Sequence, residues 1–84
     1  MEKHELELKH PFEFEGEEIK AISIRRPKLR DMKRAHKVKD DLDKSITMLA
    51  DLAEVSPKLL EEMDTEDFTR ACDVLGEFMG VSGG

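Results

Sequence analysis

The chain has 84 residues, 40% of them charged and 38% hydrophobic, with a net charge of −6, no Trp, no Tyr and one cysteine. A chain this short makes one domain that buries only about 60–65% of the surface its unfolded form exposes, so its core is thin. Cys72 alone excludes an intramolecular disulfide and a cysteine-based zinc site. Met1 to Glu5 offer no apolar run for a signal peptide and no segment reaches transmembrane length, so a cytoplasmic chain without membrane contact is expected.

Residues 5–9 alternate strictly, with Leu6 and Leu8 on one face of a strand. His10-Pro11 interrupts the pattern and Phe12-Glu13-Phe14 resumes it. Glu15-Gly16 suits a two-residue hairpin turn, Gly supplying the positive φ. A turn there sets Phe14 opposite Glu17 and Phe12 opposite Ile19. Continued without a break, that register would put Ile22 and Ile24 on the wrong face. One extra residue near His10-Pro11 corrects it, pairing Leu8 with Ile22 and Leu6 with Ile24. The expected apolar face is Leu6, Leu8, Phe12, Phe14, Ile19, Ile22 and Ile24.

The second strand, with three β-branched isoleucines, ends at Arg25-Arg26-Pro27, since Pro suits the first turn of a helix and not a central strand. The spacing predicts helices over about 28–37, 41–54, 57–63 and 65–79, with 81–84 a flexible tail. Leu29, Met32 and Ala35 form the stripe of the first; Leu42, Ile46, Leu49 and Ala53 that of the second. Asp40 or Asp41, Ser56 before Pro57, and Asp64 are the expected N-caps. The fold class is α+β: an N-terminal bulged hairpin followed by three to four short helices packed on it, since two strands alone are not stable.

Charge is arranged in blocks: −4 over residues 1–24, +5 over 25–44 and −7 over 45–84. Such blocks are usually solvated faces that pair within the fold, and the alternative is a basic surface for an acidic partner. The run 25–39 has eight Lys/Arg and one acid, which makes a small nucleic-acid-binding regulator the alternative function. Against it, the run holds no aromatic for base stacking, and the helices after residue 45 are acidic and would be repelled by phosphate. No paired-carboxylate, triad or phosphate-loop pattern exists, so neither catalysis nor a cofactor is expected. His4, His10 and His36 lie far apart, without ligand spacing, and are read as surface residues; no metal is expected. Cys72, on the apolar stripe of the last helix, reads as a small hydrophobe.

Each predicted helix carries one Met: Met32, Met48, Met63 and Met79. Met fills irregular gaps in small cores and also lines helix-binding grooves. Met48 lies off the line of its helix and, with Leu52, widens that stripe into a candidate contact face.

Taken together, His10-Pro11, Gly16, Ile19, Arg25-Arg26-Pro27, Asp31-Met32, the run from Met48 to Ala53, Ser56-Pro57, Leu60 and Met63-Asp64 resemble, in order and spacing, the tail assembly chaperones of Mu-like contractile-tailed phages. Lys28 departs from the pattern, standing where a small hydroxyl residue is common. The resemblance implies a non-enzymatic protein that coats the helical tape-measure protein, keeps it soluble and assists assembly of the tail tube, and that is absent from the finished virion. It also implies the tail tube protein and a frameshifted, longer form of the chain as further partners, and homo-oligomers remain open. On this reading Met48, Leu52, Phe78 and Met79 supply apolar contact, and Arg25, Arg26, Arg30 and Arg34 supply charge that steers acidic stretches of the partner.

Overall fold

A computed structural model of the chain describes residues 3–80. The tail expected at 81–84 lies outside the described residues. Strands β1 (Lys3–Phe14) and β2 (Glu17–Arg25) form an antiparallel hairpin, followed by helices α1 (Leu29–His36), α2 (Asp41–Ala53), α3 (Pro57–Glu61) and α4 (Thr65–Phe78). The fold is therefore α+β, as expected. Glu15 (φ 51°) and Gly16 (φ 82°) both take positive φ, the geometry of a primed hairpin turn that matches strand twist.

Near the turn the expected pairs form, Phe14 with Glu17 and Phe12 with Ile19. Beyond the bulge they do not: Leu6 pairs with Ile22 and His4 with Ile24, two residues away from the expected register. Between Glu7 and Phe12, β1 carries residues 8–11 opposite Lys20 alone, so the bulge holds three extra residues and not one. The two numbers differ by two, and an even difference leaves the same side chains on the same face. Leu6, Leu8, Ile22 and Ile24 are accordingly buried, with Phe12, Phe14 and Ile19 half-buried.

The larger bulge has a cause in the last helix. It turns the N–H groups of Lys9 and His10 toward α4, where they donate to Asp67 Oδ1 at 3.0 Å and Oδ2 at 2.9 Å. Arg70 Nη1 donates to the same carboxylate at 2.9 Å and to the Glu7 carbonyl at 3.0 Å. The Asp67 side chain is fully buried. Pro11, having no N–H, needs no partner inside the bulge.

The apolar face is covered mainly by α2, which lies on β2, and by α4, which lies on β1; α1 and α3 pack on α2. Leu49, Leu52 and Ile24 are the core's largest fully buried apolar side chains. Three helices begin at side-chain caps: Asp40 accepts from the Asp43 N–H, Ser56 from Leu59 and Asp64 from Glu66. These satisfy donors that a helix start otherwise leaves open. No helix among the described residues is long and apolar enough to cross a membrane.

Candidate functional site

The site originates in how α1 is turned. Arg25, the last residue of β2, makes a two-pronged ion pair with Asp31: Nη1 to Oδ2 at 2.9 Å and Nη2 to Oδ1 at 3.0 Å. The side chains are 16% and 5% exposed. Asp31 Oδ2 also accepts the Lys28 N–H at 2.8 Å, so Asp31, at the third helical position, satisfies the backbone donor of the residue that begins α1. The Arg25 hydrogen bonds hold the Asp31 carboxyl below its ordinary range against burial, and raise Arg25 in return. Bidentate pairs of this kind fix orientation as well as energy.

With Asp31 and Ala35 facing inward, the stripe expected on α1 is rotated. Leu29, Met32 and His36 share a face about 110° away round the helix. Leu29 is 72% exposed and Met32 45%. Sequence reading placed these two in the core with Ala35; the buried ion pair turns them out.

They open onto two adjoining grooves. One, of about 300 Å³, lies between α1, α2 and α4 and is lined by Met32, Ala35, His36, Lys44, Ser45, Met48, Leu75 and Met79. The other, of about 280 Å³, runs under the start of α1 and is lined by Arg26, Pro27, Lys28, Leu29, Met32, Phe78 and Met79. Met32 and Met79 belong to both, so the two form one apolar trough. Three methionines contribute to its lining: Met32, Met48 and Met79.

The residues expected to bind a partner divide accordingly. Met79 is exposed and Phe78 half-buried, and both line the trough. Met48 is buried and reaches the trough only as part of its floor. Leu52, 1% exposed, belongs wholly to the core: α1 and the hairpin cover the face that was to be widened. Among the arginines, Arg25 serves Asp31. Arg34 Nε lies 3.0 Å from Asp51 Oδ2, close enough for an ion pair but not aligned as a hydrogen bond. Arg26 stands 5.9 Å over the Phe78 ring at the trough edge, a cation–π distance. Arg30 is exposed on α1.

This combination of a bulged hairpin, four helices and an exposed apolar trough accompanies a match over residues 5–80 to the family model described as phage tail assembly chaperone proteins, E, or 41 or 14. The chain belongs to that family. Comparison with curated proteins and with solved structures finds no match. Membership in a chaperone family points to a protein partner in tail assembly and to a role without catalysis.

Two further groups in this chaperone carry side chains of reactive or metal-ligating type. His10, Asp64 and Glu66 are exposed and bring ligand atoms within 4.8 Å of one another, which would suit a metal ion. Those atoms are already engaged: His10 Nε2 lies 2.9 Å from Glu66 Oε1, Lys9 Nζ 3.2 Å from Glu66 Oε2, and Asp64 Oδ1 accepts the Glu66 N–H. Burial pushes the half-buried Cys72 thiol up, which favours its protonated form. Sequence spacing could not have found the first group, since His10 and Glu66 are brought together only by the bulge docking on α4.

Proposed function

We propose that this chaperone binds the helical tape-measure protein in the host cytoplasm, keeps it soluble, and releases it as tail tube subunits assemble. The observation that carries the reading is the convergence of Leu29, Met32 and Met79, three exposed large apolar side chains, on one trough between helices. Monomeric proteins rarely leave apolar patches without a use, and a groove between helices with flexible Met walls accepts an amphipathic helix of variable sequence. Met79 and Phe78 serve as anchors, and Arg26 and Arg30 as the charged margin. The tail tube protein, a frameshifted longer form and a second copy are further partners on this reading.

The test is co-expression with the long helical open reading frame expected next to this gene, using wild type and the pair Met32→Asp/Met79→Asp. Both methionines are exposed, so the variant keeps its circular dichroism. Wild type makes the long product soluble and co-elutes with it, and the variant does neither. A variant that still solubilises the product removes the trough from the function.

A further inference from the structure

Among the described residues, the charged side chains that line the trough are of one sign: in a chain with 20 acidic and 14 basic residues, no described carboxylate lines either groove. Lys28 stands at the end beneath the start of α1. Lys44 and the imidazole of His36 stand at the other end, beside the finish of α1. The nearest cation–anion pairing of Lys44 is a loose one, 4.0 Å to Asp41, whose side chain is fully exposed. The middle of the trough, Met32 and Met79, carries no charge. Resting on the reading of the trough as the partner-binding site, we propose that its occupant is an amphipathic helical segment whose apolar stripe is flanked by carboxylates at both ends.

The spacing follows from α1. Its eight residues span about 12 Å, so the two acidic groups stand about eight residues, or two turns, apart on the bound helix. Apolar side chains between them enter over Met32 and Met79. A segment with basic ends meets like charge at both margins, and this is a repulsive filter that apolar contact alone cannot provide.

Three synthetic helical peptides with one apolar stripe and Glu, Gln or Lys at both ends, two turns apart, test this by fluorescence anisotropy. The Glu peptide is expected to bind about tenfold tighter than the Lys peptide at low salt, each exposed margin pair contributing a few-fold, and the gap closes in 0.5 M NaCl. Lys28→Glu/Lys44→Glu, with unchanged circular dichroism, reverses the order. Equal binding of all three peptides overturns the proposal, as does an order that the double variant leaves intact. Sedimentation showing a dimer that the Glu peptide cannot dissociate also overturns it, giving the trough to a second copy. Co-purification of the long product without any Glu preference sinks this inference alone. A Glu preference without co-purification sinks the tape-measure reading and leaves this one standing.

Discussion

Replacing Arg25 by Met is the sharpest test of what positions the trough. It leaves the Asp31 carboxylate 5% exposed, with the Lys28 N–H as its remaining hydrogen-bond donor among those seen here. Breaking a buried pair costs about 3–5 kcal/mol, and because Arg25 is itself 16% exposed, water recovers part of this. We expect a loss of about 2–3 kcal/mol, a fall in Tm of roughly 10–20 °C for a domain of this size. Arg25→Met/Asp31→Leu should return to within about 1 kcal/mol of wild type, since an apolar pair of similar volume replaces the ions without stranding a charge. Urea unfolding followed by circular dichroism, with an unchanged m-value, gives both numbers. The single variant should also bind the Glu-flanked peptide poorly, since the stranded carboxylate turns toward water and Leu29 and Met32 toward the core, whereas the double variant, with an apolar side chain packing inward at position 31, should bind it as wild type does. The pair also predicts a pH dependence. Asp31 is lowered below its ordinary 3.8, chiefly by Arg25, so its contribution is present above that value and is lost as pH falls through the folded value. A single variant within 0.5 kcal/mol of wild type refutes the energetic argument; a single variant that binds the peptide fully, or a double variant that has lost it, refutes the rotational one.

Asp67→Asn should destabilise by about 2–4 kcal/mol, because an amide cannot accept from the Lys9 N–H, the His10 N–H and Arg70 together and sets a donor against one of them; hydrogen exchange at Lys9 and His10 should accelerate in step. A change below 0.5 kcal/mol would show that the clamp contributes nothing net. His10, raised from 6.5 mainly by its hydrogen bond to Glu66, and Glu66, lowered mainly by the same bond, give a stabilising contribution that is full below about 6.5, disappears as pH rises through the higher folded value of His10, and disappears again as pH falls through the lowered value of Glu66. His10→Gln should flatten the upper arm of the Tm–pH profile, and a profile identical to wild type would count against the pairing.

Much of this architecture was legible in local chemistry. Gly16 and the alternation around it marked the hairpin, and Asp40, Ser56 and Asp64 marked three helix starts. The parity of the hydrophobic pattern fixed which face of the hairpin is buried. It could not fix how many residues the bulge holds, because one and three preserve the same face, and the choice is made by Asp67 on α4. The trough was hidden for a related reason. Met32, Met48 and Met79, among the one-per-helix methionines visible in the sequence, line it, but whether Met32 faces outward depends on the rotation of α1. That rotation is set by an ion pair between a strand end and a helix, and hydrophobic periodicity carries no information about it. Hence Leu52 and Met48 were expected at the surface and lie in the core, while Leu29 and Met32 were expected in the core and lie at the surface.

The bulge clamp has a bearing on the order in which the chain takes shape during synthesis. The N–H groups of Lys9 and His10 find their acceptor 58 and 57 residues further on. Until α4 has left the ribosome, the first strand has an interrupted ladder and an uncovered apolar face, and a lone hairpin does not hold together in water. Contacts of such sequence separation form late and close a large loop. The first segment made therefore waits for the last before its register is settled. A chain cut short before Asp67 would lose one helix and also the register of its hairpin, so the domain is completed as a unit or not at all.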